Sequence, residues 1–262
     1  MARPTALITG ASSGIGMELA RIFAERGYDL ILAARRAERL ESLASEIQGD
    51  AAVHCIPVDL GKARGPEKLE SAISELGLTV DVLVNNAGVI STEPGLEEDL
   101  EALLNLVNLN VRALLELSHR FGNHMVNRGY GRILNVASVA AFQPIPGMSV
   151  YAASKAFVLS LTEGMTEELR GTGVTITALC PGPTKTEMAD AFNDIPYAEH
   201  FLADARSVAQ EGFDAMKAGQ VIRVPGLANQ AMVNWSQYQP RWLVRTLGGL
   251  AARSAKMLRP NE

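Results

Sequence analysis

Short apolar runs alternate with longer amphipathic ones from Thr5 to Cys180, and this rhythm leaves few folds open. "TALIT" (5–9) reads as a buried strand. "GIGMELARIFAERG" (14–27) then carries Ile15, Leu19, Ile22 and Phe23 at i, i+4, i+7 and i+8 and stops at Gly27, the pattern of a helix with a glycine after its end. Further strands are expected at 28–34, 51–58, 80–85, 131–138 and 174–180, with helices at 36–48 and 66–76, within 97–128, and at 151–170. Strands separated by helices of this length pair in parallel through right-handed crossovers, so the sheet is covered on both faces. The expected architecture is a doubly wound (Rossmann) α/β fold, a three-layer sandwich around a mainly parallel sheet. A short strand at 220–226 makes it seven-stranded. After Pro181 the rhythm breaks into irregular and helical sequence.

The 262 residues suffice for one large domain and are few for two independent cores. One domain is expected over 1–226, followed by an extension over 227–262. No stretch approaches the ~18–20 apolar residues of a membrane span, so a soluble cytoplasmic protein is expected. Cys55 and Cys180 lie far apart in strand-like runs and read as reduced core thiols. The four histidines lack metal-ligand spacing, and no metal site is expected. Formal charge is −5, but the last forty residues hold six basic side chains and one acid. The body is therefore acidic, which argues against nucleic acid as a partner.

"TGASSGIG" (9–16) lies between the first strand and the first helix. Gly10, Gly14 and Gly16 let the backbone turn sharply and let a pyrophosphate approach the amides of a helix N-terminus, where the dipole favours anions. A glycine string alone is weak evidence, since tight strand-to-helix turns share it. Its position between strand and helix raises the case for a dinucleotide.

With this spacing, T-G-x-x-x-G-x-G, the chain resembles the short-chain dehydrogenase/reductase family in its single-domain branch. Further matching pieces follow in order: Asp59 and Leu60, "NNAG" (85–88), Asn110, Ser138, "YAASK" (151–155) and "PGPTKT" (181–186). The resemblance covers about residues 5–225. It implies an oxidoreductase that moves hydride between a nicotinamide dinucleotide and a carbonyl or alcohol. Ser12, Ser13 and Ile15 belong to the implied phosphate cradle, and Asp59 and Leu60 flank the adenine. Asn86, Ala87 and Gly88 let the cofactor lie on the fourth strand's end. Pro181, Gly182 and Thr184 offer backbone groups to the carboxamide, and Thr186 caps the next helix or touches cofactor phosphate.

An NAD site usually holds a carboxylate after the second strand, whereas a 2′-phosphate needs that acid absent and a guanidinium present. Here Ala34 is followed by Arg35 and Arg36, so NADP(H) is the expected cofactor, with Arg35 as the main contact and Ser12 assisting. Arg36 reads equally as the solvated start of a helix.

Tyr151 and Lys155 stand at i and i+4, on one helical face. A nearby ammonium and an oxidised nicotinamide both favour phenolate, so Tyr151 is the expected acid and base. Ser138 ends the preceding strand at the carboxyl edge of the sheet and is placed to hydrogen-bond the substrate oxygen. The resemblance adds a hold by Lys155 on the nicotinamide ribose, and a helix asparagine whose carbonyl supports the proton relay. Asn110 is preferred for that role over Asn105 and Asn108 by its spacing to Ser138.

Val139, Ala140, Phe142, Pro144, Met148, Met188, Phe192, Ile195 and Tyr197 make the substrate region apolar, with a mobile lid expected at about 187–218. A small apolar carbonyl or alcohol substrate is favoured; fatty 3-oxoacyl, steroid-like, aromatic and diketone compounds stay open. The extension reads as a basic amphipathic helix that packs on its own body or a neighbouring subunit, in preference to peripheral contact with a membrane. Pairing through the two long helices into a homodimer or homotetramer is implied by resemblance. Two other classes compete. A non-catalytic NADPH sensor predicts a lost catalytic position, and none is lost; a sugar-nucleotide epimerase needs a longer substrate domain.

Overall fold

The computed structural model describes residues 3–47, 49, 51–192 and 202–254. Seven strands form one sheet: β1 Thr5–Thr9, β2 Asp29–Ala34, β3 Val53–Pro57, β4 Val82–Asn85, β5 Gly131–Val136, β6 Val174–Leu179 and β7 Ile222–Arg223. Their order is β3-β2-β1-β4-β5-β6-β7 and every pairing is parallel. The helices are α1 Gly14–Glu25, α2 Ala37–Glu46, α3 Gly65–Glu75, α4 Leu100–Val107, α5 Leu114–Arg128, α6 Ser149–Glu168, α7 Ala205–Lys217, α8 Leu227–Tyr238 and α9 Arg241–Ser254.

Both faces of the sheet are apolar because both are covered. Ile8, Leu30, Leu32 and Val84 point into one layer with Leu19 and Phe23 of α1, Leu40 of α2, and Val208 and Phe213 of α7. Their neighbours Leu7, Ile31 and Leu83 point the other way, against Leu69 of α3 and Leu117 and Phe121 of α5. This alternation with both sides buried explains why the strands read as unbroken apolar runs. Each such Leu or Ile, fully removed from water, contributes ~1.5–3 kcal/mol.

The order in which strands are added reverses between β1 and β4, so the loops leaving these two parallel strands diverge and open a crevice at the carboxyl edge. Thr9 and Asn86 join its two sides. The Thr9 hydroxyl donates to the Val84 carbonyl at 3.0 Å and accepts from the Asn86 and Ala87 amides at 3.0 and 3.1 Å. Asn86 Nδ2 donates back to the Thr9 and Gly10 carbonyls at 2.9 and 3.2 Å.

Two elements differ from the expectation. The helix expected within 97–128 is interrupted by a π-helical turn at Asn108–Ala113, a local change of hydrogen-bond register that apolar periodicity does not record. The expected lid is also too long at its far end. Val208, Ala209, Phe213 and Met216 of α7 are buried in the first core layer, so Ala205–Lys217 belongs to the body of the domain.

The extension forms α8 and α9. Buried Val233 and Val244 anchor them. Asn229 fills the space beside Gly182, where an added Cβ would come within 2.6 Å of its side chain, and Gly248 lies over Pro146. Trp235, Tyr238 and Trp242 are exposed. Lys256 and Arg259 lie outside the described residues. No helix among the described residues is long and apolar enough to cross a membrane.

Candidate active site

A cavity of about 660 Å³ occupies the crevice. The loop after β1 forms its floor. Gly10 has φ +66, and a Cβ there would come within 2.8 Å of Ala87 Cα, so the backbone requires glycine for both reasons. Gly16 stands behind the loop, where a Cβ would meet Asn86 Nδ2 at 2.3 Å and the Gly10 carbonyl oxygen at 2.5 Å. Ser13 precedes α1 in an extended conformation without capping it. Its hydroxyl and that of Ser12 each accept from Arg36 Nη2 at 3.1 Å. This packing predicts that Asn86→Ala, which removes the amide donor to the part-buried Thr9 and Gly10 carbonyls, destabilises the fold by ~1–3 kcal/mol. Urea denaturation measures the loss, and a midpoint equal to the wild type's contradicts it.

Of the residues singled out above, Gly10, Ser12, Ser13, Gly14, Ile15, Arg35, Arg36, Asp59, Leu60, Asn86, Ala87, Gly88, Ser138, Tyr151, Lys155, Pro181, Gly182, Thr184 and Thr186 all line this cavity. Gly16 and Asn110 do not; they support it from behind. Asn110 is 1% exposed, with its side chain fastened to the Val89 amide and carbonyl, both at 2.9 Å, and to Ser154 Oγ at 3.2 Å. It lies within the π-helical turn, whereas Asn105 is exposed and Asn108 only accepts from Arg112 at 3.3 Å.

Arg35 and Arg36 both line the cavity. Arg36 reaches the serines of the glycine loop, as the extended residue immediately before α2, turned toward α1. That direction depends on how the strand runs into the helix, which the order of two adjacent arginines does not reveal. Asp59 Oδ1 accepts from the Gly61 amide at 3.0 Å, and Arg112 holds the same loop through the Gly61, Lys62 and Ala63 carbonyls. Thr186 packs its methyl against Gly14. Its hydroxyl donates to the Thr184 carbonyl at 3.3 Å, and its own carbonyl accepts from the Ala189 amide at 2.8 Å at the start of the 3-10 segment Glu187–Phe192.

Ser138, Tyr151 and Lys155 meet on one wall. Ser138 lies two residues past β5 and accepts from the Ala140 amide at 3.1 Å, which begins the 3-10 turn Val139–Phe142. Tyr151 is 7% exposed. Burial pushes its phenol up from the ordinary value, and the nearby Ser138 hydroxyl draws it part of the way back. The protein alone therefore does not make this phenol acidic, contrary to the expectation drawn from the i, i+4 spacing. The reason is geometric. Lys155 donates to the Val136 carbonyl at 2.9 Å, and its Nζ stands 5.8 Å from the Tyr151 ring centroid. Burial also pushes the amine down to about 8, so it keeps most of its charge at neutral pH and loses it under mildly alkaline conditions. The neighbouring Cys180 thiol, buried, is pushed up to about 12 and stays neutral.

On the substrate side, Val139, Ala140, Met148 and Met188 line the cavity as expected, together with Ile90 and Ile145, which the sequence reading missed. Phe142 instead packs against the cluster around Val158 and Leu159, and Pro144 lies under Gly248 of α9. Ile195 and Tyr197 lie outside the described residues, as does the side chain of Phe192. Also missed is a buried polar chain beneath the site. Asn85 Nδ2 donates to Ser118 Oγ and Asn135 Oδ1, and Asn135 Nδ2 to Thr162 Oγ1, each at 2.9 Å. These residues sit in strands and helices that only the fold brings together.

Comparison with known proteins agrees with this geometry. The short chain dehydrogenase family model matches residues 4–195. Sulfoacetaldehyde reductase 2 of Chromohalobacter salexigens is 36% identical over 213 residues, covering 78% of this chain and 84% of that protein. A short-chain dehydrogenase from Sphingobium yanoikuyae, solved in complex with NADPH, superposes with a TM-score of 0.80 at 32% identity, over 99% of this chain and 97% of that one. Another from Burkholderia phymatum, solved with NAD, gives 0.78 at 28% identity, over 88% and 92%. The chain belongs to the short chain dehydrogenase family and is an oxidoreductase of carbonyl and alcohol groups built on a dinucleotide-binding fold.

Proposed function

We propose that this protein reversibly reduces an apolar ketone or aldehyde with NADP(H). One observation carries the reading: Ser138, Tyr151 and Lys155 converge at one end of a single cavity whose other end holds Arg35, Arg36 and Ser12. The residues present fit a dinucleotide, since Gly10 and Gly88 keep the cavity floor clear of side chains where Asn86, Asn110 and Lys155 press close. A bound nicotinamide supplies the hydride and, once oxidised, a positive charge beside the phenol.

The chain's own residues do the rest. Ser138 Oγ holds the substrate oxygen as negative charge develops on it. Tyr151 gives that oxygen its proton, and takes one back in the reverse direction. Lys155 binds the ribose hydroxyls and, through its positive charge, favours the phenolate. Asn110, in the π-helical turn beside Lys155, supports the proton relay by holding a water with its main-chain carbonyl. Ile90, Val139, Ala140, Ile145 and Met148 surround the reacting end, which favours a substrate with an apolar body. Exposed Leu104, Leu115 and Phe157 on α4, α5 and α6 support pairing of copies through those helices. The free thiols suit a reducing, cytoplasmic setting.

The test is steady-state oxidation of NADPH and NADH over a panel of apolar ketones and aldehydes, in wild type, Arg35→Ala and Arg36→Ala. Turnover with a preference for NADPH is expected, and Arg36→Ala should raise KM for NADPH by ~10-fold or more while moving that for NADH little. Absent turnover across the panel, or equal use of both cofactors, contradicts the reading.

A further inference from the structure

Glu187 begins the 3-10 segment Glu187–Phe192 after "PGPTKT", far in sequence from the adenosine end of the cavity. Its carboxylate nevertheless lies there. One oxygen accepts from Arg36 Nη2 at 2.9 Å, and the other pairs with Arg39 Nη1. The same Arg36 nitrogen stands 3.1 Å from Ser12 Oγ and from Ser13 Oγ. The cluster of two guanidiniums and two hydroxyls that suits a phosphate thus already holds an anion, one belonging to the chain itself. Hydrogen bonds from Arg36 and Arg39 keep this carboxyl below the usual carboxylate range, so it is ionised at neutral pH.

We propose that Glu187 is a cofactor-discriminating residue, an internal anion occupying the place of a 2′-phosphate, which a phosphorylated dinucleotide must displace from Arg36 and Arg39. This rests on the NADP(H) reading above. The ion pairs are half-exposed, with side-chain accessibilities of 42%, 46% and 51% for Arg36, Glu187 and Arg39, and exposed pairs of this kind are weak. A phosphate monoester carries ~1.5–2 negative charges and three acceptor oxygens, and so outcompetes a carboxylate for the same donors. A dinucleotide without the 2′-phosphate leaves the Glu187 pairs in place and does not compete with them. Glu187 therefore narrows the difference in affinity between the two cofactors by opposing only the phosphorylated one.

The test uses adenosine 2′,5′-bisphosphate and adenosine 5′-monophosphate as probes, since neither reaches the catalytic end. Each is titrated calorimetrically into the wild type, Glu187→Gln and Arg36→Ala. Glu187→Gln should bind the bisphosphate ~3- to 10-fold more tightly and the monophosphate within about twofold of the wild type. Thermal denaturation checks that this half-exposed, isosteric change leaves the fold intact. An unchanged ratio of the two affinities overturns the role of Glu187, and so does weaker bisphosphate binding, which would mean that the carboxylate orients the arginines. Two failures are distinguishable. A wild-type preference for the bisphosphate that Arg36→Ala abolishes and Glu187→Gln leaves unmoved sinks only this inference. Equal wild-type affinity for both probes, unaltered by Arg36→Ala, sinks the NADP(H) reading and this inference with it.

Discussion

Tyr151→Phe is expected to lower kcat ~10²- to 10⁴-fold, the usual contribution of a positioned proton donor, while the affinity for NADPH stays near that of the wild type. The phenol is nearly buried and lines the cavity beside Ser138, so only the hydroxyl is lost and the ring still fills its place. Its upward shift also implies an asymmetry in pH. Reduction needs the phenol protonated and should hold across neutral and mildly alkaline pH. Oxidation needs it deprotonated and should climb with pH. Single-turnover rates in both directions, with fluorescence titration of NADPH, measure these effects. Full activity in the variant removes Tyr151 from the proton transfer.

The second large effect concerns stability. Lys155 is 5% exposed, and burial lowers its folded value to about 8 from an ordinary 10.5. A lysine depressed in the folded state binds fewer protons there than in the unfolded chain between these two values, so stability rises with pH through that window. Above ~10.5 the penalty vanishes, and below ~8 it is fully present, at roughly 3 kcal/mol. Lys155→Met should therefore stabilise the cofactor-free protein at neutral pH by ~1–3 kcal/mol, after the lost hydrogen bond to the Val136 carbonyl is subtracted. The advantage should shrink as pH approaches ~10, where the wild-type amine folds uncharged. The same variant should be almost inactive. Urea denaturation of both proteins at neutral pH and near pH 10 measures the difference, and a Met variant less stable than the wild type at neutral pH contradicts the account.

The sequence alone carried most of the architecture. Strand positions were legible because a parallel sheet covered on both faces demands unbroken apolar runs, and Ile8, Leu32 and Val84 show that demand directly. The glycine loop was legible because the approach of Ala87 and Asn86 to Gly10 and Gly16 excludes any side chain there. The i, i+4 relation of Tyr151 and Lys155 is a property of one helix, and needs nothing distant to be read.

Contacts between separate segments had to wait for the tertiary structure. The contact of Arg36 with Ser12, the carboxylate of Glu187 beside it, the chain from Asn85 through Asn135 to Thr162, and the packing of α7 into the core join residues far apart in the chain. Local periodicity reports which face of an element is buried, because each residue's solvation depends on its own position along that element. The direction of a side chain at a strand–helix junction, and the proton affinity of a phenol, depend on what the fold brings within a few ångströms. Spacing could put an amine near Tyr151, but desolvation of both groups decided that the phenol is raised rather than lowered.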